Sequence, residues 1–204
     1  MSPEQPPGTP LLTVRDLAIS RGGRALFDGL DFTVLPGGLL LLRGPNGAGK
    51  SSLLLALAGV LRPAAGTLDW HAEEPPKLHF LGHQSGVKSR LSLLENLSFW
   101  RAVNGPSGIT PPVALDQVGL GDLGGLDAGY LSAGQTRRLA LARLLVTDRK
   151  LWLLDEPLAS LDAAGDTLVA RLIADRLASG GAVIAATHDD LPGATRTLTL
   201  GSAT

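Results

Sequence analysis

The sequence predicts an α/β fold with a mainly parallel β-sheet wrapped by helices. Three observations predict it. Strand-like apolar runs alternate with helix-like ones along most of the 204 residues, as in crossover-connected parallel sheets. The run Leu39-Leu40-Leu41-Leu42 leads into Gly44-Pro45-Asn46-Gly47-Ala48-Gly49-Lys50-Ser51, a complete G-x-x-x-x-G-K-[ST] phosphate-loop pattern set between a strand and a helix. A second apolar run, Leu151–Leu154, ends in Asp155-Glu156. A buried strand of this kind carries its last residues to the sheet edge where ligands bind.

Residues 1–10 (MSPEQPPGTP) read as a disordered tail. Leu11 to Ile19 alternates as a strand, Arg21-Gly22-Gly23-Arg24 is a turn, and Leu30 to Leu35 is a second strand closed by Pro36-Gly37-Gly38. The strand Leu39–Leu42, the phosphate loop and an apolar helix over Ser52–Leu61 follow. Short strands are expected at Thr67–Trp70 and Leu78–Leu81, on either side of a polar loop. From about Gly82 to Tyr130 the texture changes to a mostly helical insert. Leu91 to Val103 has helical spacing, Asn104 to Pro112 is a loop, and Asp116 to Leu126 is small and glycine-rich. Helices over Gly134–Val146 and Ala163–Ala178 and strands at Leu151–Leu154, Ala182–Ala186 and Thr195–Leu200 complete the chain.

Composition narrows the function classes. The chain is 44% hydrophobic, with 18 basic against 19 acidic residues, so it bears no nucleic-acid footprint and no basic membrane patch. It has no cysteine, which excludes disulfides and thiolate metal sites and fits a reducing compartment. The leucine-rich stretches are too short to span a bilayer, and residues 1–10 lack the basic start and apolar core of a secretory signal.

In the phosphate loop, glycines let the backbone turn several N–H groups toward one anion. The following helix adds its positive N-terminal end. Lys50 supplies a point charge for outer phosphates, and the Ser51 hydroxyl suits a magnesium ion. Of Asp155 and Glu156, one carboxylate can hold magnesium and the other can orient and deprotonate an attacking water. Both also fit an acidic helix cap after a strand. The pair Arg137-Arg138 is expected on a solvated helix face. Leu93, Leu97, Phe99 and Trp100 suit either the core of the insert or a groove for a partner's helix.

Gly49-Lys50-Ser51, Leu131-Ser132-Ala133-Gly134-Gln135, Leu154-Asp155-Glu156-Pro157, Ser160-Leu161-Asp162 and His188 stand in that order. Together they resemble the nucleotide-binding subunit of an ATP-binding-cassette (ABC) transporter, from about Leu11 to Leu200. The resemblance implies an ABC cassette of the phosphate-loop NTPase class. Its expected core is a RecA-like, mainly parallel sheet with an N-terminal antiparallel β part and a helical subdomain at about 84–134, within one domain over 11–204. It implies Mg-ATP as ligand, held by Gly44, Pro45, Asn46, Gly47, Ala48, Gly49, Lys50, Ser51 and Ser52. Gln84 and Asp155, with Ser51, are the implied magnesium contacts. Glu156 is the implied catalytic base and His188 the histidine that hydrogen-bonds the γ-phosphate; Gln84 and Lys50 complete the implied catalytic set. Ser132, Ala133, Gly134 and Gln135 form the signature loop, which in this family meets the ATP of the opposite subunit. Asp162 is the implied coupling aspartate between the two sites.

Departures narrow the resemblance. Where most members stack an aromatic on adenine this chain has Arg21, whose guanidinium plane can also stack on a base. The middle signature glycine is Ala133. Arg21 before Arg24-Ala25-Leu26-Phe27, together with Phe80 to Lys88, Leu91 to Leu97 and Leu-Ser-Ala-Gly-Gln-x-Arg-Arg, resembles the haem exporter ATP-binding subunits of cytochrome c maturation. That implies a homodimer of cassettes docked on integral membrane permease subunits at the cytoplasmic face of the bacterial inner membrane. Haem is involved only indirectly, and nucleic acid not at all. The same ATP-site residues would serve another exporter or a soluble scaffold ATPase.

Overall fold

The computed structural model describes residues 8–22, 24–71 and 77–201; the expected tail falls mostly outside them. The elements in chain order are β1 (Leu12–Arg21), β2 (Arg24–Val34), β3 (Leu39–Arg43), α1 (Lys50–Leu57), β4 (Ala65–Trp70), β5 (Leu78–Leu81), α2 (Leu93–Asn104), α3 (Pro111–Gln117), α4 (Ala133–Leu145), β6 (Leu151–Asp155), α5 (Ala163–Ala178), β7 (Ala182–Ala186) and β8 (Arg196–Thr199). They fall into two compact units. The first takes in the described residues up to Phe80, Lys150–Glu156 and the chain from Ile173 onward; the second comprises Leu81–Arg149 and Pro157–Leu172.

The first unit holds two sheets. β2, β1 and β4 lie in that order and pair antiparallel, with Leu12 opposite both Val34 and Trp70. The other sheet runs β5-β6-β7-β3-β8, and β6–β7, β7–β3 and β3–β8 are parallel pairs. Every residue of β6 and β7 is buried, as is β3 up to Arg43. This is why these strands read as unbroken apolar runs rather than alternating ones. Leu53, Leu54, Ala56 and Leu57 of α1 are buried in the same core as Leu40, Leu42, Leu153 and Ile184. Each such leucine contributes about 1.5–3 kcal/mol of burial.

The second unit is helical. A capping box starts α2: the Ser92 hydroxyl accepts from the Glu95 N–H (3.2 Å), and Glu95 Oε2 accepts from the Ser92 N–H (2.8 Å). Buried Asn96 is fully committed. Its amide donates to the carbonyls of Lys88, Leu91 and Ser92, and its Oδ1 accepts from the Lys88 N–H. Arg143, half-buried on α4, lies over the Trp100 ring at 4.6 Å from its centroid. Desolvation, reinforced by the nearby Arg137 charge, lowers its pKa to about 10.

Three expectations are corrected. The stretch expected as loop up to Pro112 instead starts α3 at Pro111, because proline's missing N–H and fixed φ suit the first turn of a helix. Helix α1 stops at Leu57 rather than Leu61, with Gly59 in the left-handed region (φ 72°) just past its end. Arg137 is not on a solvated face. It is 5% exposed, and its guanidinium donates to the carbonyls of Pro157 (3.2 Å) and Gly82 (3.1 Å). Carbonyl partners of this kind offset the cost of burying the charge.

The α2 cap predicts a pH signature. The Ser92 backbone N–H, then its hydroxyl, hold the Glu95 carboxyl below its ordinary value of 4.5. A depressed carboxylate contributes stability that is complete above that ordinary value and is lost as pH falls through the folded value. Glu95→Gln keeps the cap but does not titrate. Its urea midpoint should therefore fall less than the parent's between about pH 6 and pH 3; equal falls would contradict the assignment.

Candidate functional site

Three adjacent strands of the first unit end side by side. Ala186 of β7 pairs with Leu42 of β3 on one side and Asp155 of β6 on the other. The residues just beyond are Gly44, Glu156 and His188, so one line across the sheet delivers all three. Gly44 cannot carry a side chain: its φ is 138°, and a Cβ would stand 2.2 Å from the Leu200 carbonyl oxygen. Gly49 (φ 98°) caps α1, and a Cβ there would meet the Phe27 ring at 3.0 Å. No side chain caps α1 and no acidic residue occupies its first turn, which leaves its N-terminal N–H groups to an anion.

Lys50 is buried and folds back over the loop. Its Nζ donates to the carbonyls of Gly44 (2.6 Å) and Pro45 (3.2 Å) and lies 3.4 Å from His188 Nε2. Ser51 is exposed and Ser52 buried. Asp155 is buried at the end of β6. Glu156 follows in the left-handed region (φ 47°), with its N–H donating to the Ala186 carbonyl (2.8 Å). His188 Nε2 is 3.1 Å from Asn46 Oδ1 and 3.8 Å from Glu156 Oε1. A single ring nitrogen cannot satisfy all of these together. As an unprotonated nitrogen it accepts a hydrogen bond from Lys50; as an N–H it donates toward Asn46 or Glu156. Arg43, the last residue of β3, donates to the Thr187 carbonyl (3.0 Å) and to Asp190 Oδ1 (2.7 Å).

The signature-like residues belong to the second unit. Ser132 caps α4 in a second capping box: its hydroxyl accepts from the Gln135 N–H (3.2 Å), and Gln135 Oε1 accepts from the Ser132 N–H (2.9 Å). As an acceptor there, the hydroxyl keeps its own hydrogen for a ligand. Ala133 is the exposed first residue of α4, where alanine is well tolerated. At Gly134 a Cβ would lie 3.0 Å from the Ser160 carbonyl. Asp162 Oδ1 accepts from the Gly165 N–H (2.8 Å) and from Arg138 (3.0 Å). These bonds, the backbone one foremost, hold its carboxyl below the usual range. An open cavity of about 400 Å³ is lined by Ser132, Gln135, Arg138, Ser160 and Asp162 among others. Gln84 is exposed in the bend after β5, and Arg21 is exposed at the end of β1.

The family model for ABC transporters matches residues 27–159. The chain belongs to that family. It is similar to the cytochrome c biogenesis ATP-binding export protein CcmA of Rhodopseudomonas palustris (strain HaA2), at 49% identity over 94% of this chain and 98% of that protein. It is 53% identical to the CcmA of Ruegeria pomeroyi, over 88% of this chain and 86% of that one. Among solved structures, cbiO1 from Clostridium perfringens, part of the ABC transporter complex cbiONQ, superposes with a TM-score of 0.77 at 25% identity over 94% of this chain and 84% of its own. The sequence resemblance and the fold class are thus borne out: the chain is an ATP-hydrolysing ABC subunit built on a five-stranded, mainly parallel sheet with a separate three-stranded antiparallel one.

The ABC cassette's donor set suits a magnesium nucleotide. The Lys50 ammonium and the open N-terminus of α1 have the charge and the donors that suit phosphate oxygens. Asp155 and Ser51 offer hard oxygens for magnesium. No cluster of three or more His, Cys, Asp or Glu that could hold a metal occurs among the described residues. Asn46, Lys50, Glu156 and His188 converge in the first unit, while Gln84, Ser132–Gln135 and Asp162 lie in the second. Arg43 carries no motif. Its one signal is a charged residue closing a run of four buried leucines.

The Gly44 geometry is testable. Gly44→Ala should lower the unfolding free energy by about 1–3 kcal/mol, read by urea denaturation. An unchanged midpoint and slope would show that the loop tolerates a Cβ there.

Proposed function

We propose that this ABC subunit couples Mg-ATP binding and hydrolysis to haem export, or to release of a haem-loaded chaperone, in cytochrome c biogenesis. The observation that carries the hydrolytic half is the convergence of Asn46, Lys50 and Glu156 on His188 Nε2, at 3.1, 3.4 and 3.8 Å. The cytochrome c half is supported by the near end-to-end similarity to export proteins of that name.

The residues divide the work. Gly44–Ser52 and Lys50 bind the triphosphate through backbone N–H groups and one cation. Arg21 lies against the adenine in place of an aromatic. Ser51 and Asp155 would hold magnesium, which would neutralise charge on the phosphates. Glu156 orients a water and takes its proton as the water oxygen bonds to the γ-phosphorus. The bond between that phosphorus and the β-phosphate oxygen breaks, giving ADP and inorganic phosphate. His188 hydrogen-bonds the γ-phosphate and holds it in line.

The site is completed by a second copy. Two chains pair head to tail, and Ser132–Gln135 of one offers a helix N-terminus and a serine hydroxyl to the nucleotide bound by the other. Asp162 couples the two sites. Loss of the shared γ-phosphate loosens the pair and moves integral membrane permease subunits contacted near Gln84 and the helical subdomain. Among the described residues no helix is long and apolar enough to cross a membrane, which fits a peripheral subunit at the cytoplasmic face of the bacterial inner membrane.

Glu156→Gln should lower kcat by about 100-fold or more while retaining ATP, and should accumulate as a dimer on ATP addition in size-exclusion chromatography. A variant that keeps its turnover and stays monomeric with ATP would refute this account. Co-purification of the membrane complex tests the assignment to cytochrome c biogenesis: permeases of an unrelated exporter would redirect it.

A further inference from the structure

We propose that Arg43 is the positioning residue for His188, holding the loop after β7 in fixed relation to the phosphate loop. The proposal rests on the reading of His188 as the γ-phosphate contact. β3 and β7 are parallel neighbours with Leu42 paired to Ala186, so Arg43 and Thr187 are the next residues on each strand line. The Arg43 guanidinium donates to the Thr187 carbonyl at 3.0 Å, on the peptide immediately before His188, and to Asp190 Oδ1 at 2.7 Å, two residues after it. The histidine is bracketed from both sides by one planar group.

The His188 side chain has little packing of its own to fix it. It is 54% exposed, and its neighbours are the polar atoms of Asn46, Lys50 and Glu156. Its place is therefore set by its backbone. That backbone is anchored at one end by fully buried Thr187, whose hydroxyl accepts from the Asp189 N–H at 3.0 Å. Arg43 anchors the other end through Asp190. Arg43 is also the residue directly before Gly44, so a shift of the phosphate loop and a shift of the His188 loop are transmitted through one side chain. Two donors in a rigid fork are needed for this, and a lysine ammonium reaches one partner but not both in the same geometry. A stabilising role explains the arrangement poorly, because Asp190 is fully exposed and ion pairs to exposed carboxylates contribute little to stability.

The test is a double-mutant cycle on the full-length chain, with steady-state Mg-ATP hydrolysis and thermal unfolding as readouts. Arg43→Met should lower kcat on the order of 10-fold with KM for ATP changed less than about 2-fold, as expected for a misplaced group that acts at the reacting phosphate. The unfolding midpoint should stay within about 2 °C of the parent's. Arg43→Lys should recover part of the loss. In a His188→Ala background, Arg43→Met should cost nothing further, since the group through which it acts is gone. The control Arg15→Met, which removes an exposed pair with Asp69, should leave kcat unchanged. An equal further loss in the His188→Ala background, or a loss that tracks a lowered midpoint, overturns the proposal. If His188→Ala is impaired and Arg43→Met is not, Arg43 loses its role and the reading of His188 stands. If His188→Ala itself keeps the parental kcat, that reading falls, and the role of Arg43 falls with it.

Discussion

The backbone ladder at Ala186 is the constraint on which the first unit's chemistry depends. Ala186 sits between Leu42 and Asp155 in the parallel sheet, and its carbonyl also receives the Glu156 N–H. The phosphate loop, the acidic pair and the histidine loop each begin within two residues of that point. A slip of one residue in either neighbouring strand would carry one of them about 3.3 Å along the sheet and turn its side chains to the other face. Completely buried strands prevent the slip, because every residue of β6 and β7 is locked between packed layers. The leucines that look like filler in the sequence set the spacing of the polar groups at the sheet's end.

The second unit is tied together by different means. Its helices are short, and polar groups within it make specific bonds where a larger core would rely on area. Asn96 gathers three carbonyls and an N–H around the start of α2. Arg137 joins the carbonyl of Gly82, two residues before Gln84, to that of Pro157, one residue after Glu156 in the chain. Arg143 remains charged at neutral pH despite its partial burial, since its pKa of about 10 is still well above it. Cations held partly or wholly out of water with backbone partners favour one arrangement over near alternatives, since any other leaves a charge unsatisfied.

Most of the sheet was legible in the sequence because buried parallel strands and their flanking turns leave a strong compositional mark. Leu78–Leu81, Ala182–Ala186 and the helix Ala163–Ala178 coincide with β5, β7 and α5. The phosphate loop was legible because its glycines answer to sterics that any sequence must obey, as the blocked Cβ positions at Gly44 and Gly49 show. What escaped was set by tertiary context. Pro111-Pro112 reads as loop until the chain after it is seen to be helical. A pair of arginines on a helix reads as solvated until its surroundings place one of them inside. Arg43 escaped because nothing local distinguishes a bracing guanidinium from an arginine that closes a strand.

Glu156 stands in a backbone region that glycine would occupy at lower cost. At this position selection for robustness and selection for work point in opposite directions. A library screened only for heat resistance would favour glycine there and would discard the carboxylate without any sign of damage to the fold. A lineage that lost its transport partners, and with them the need to hydrolyse ATP, would drift the same way. The identity of residue 156 is therefore a marker of whether a relative of this chain is still a working ATPase or has become a scaffold of the same shape.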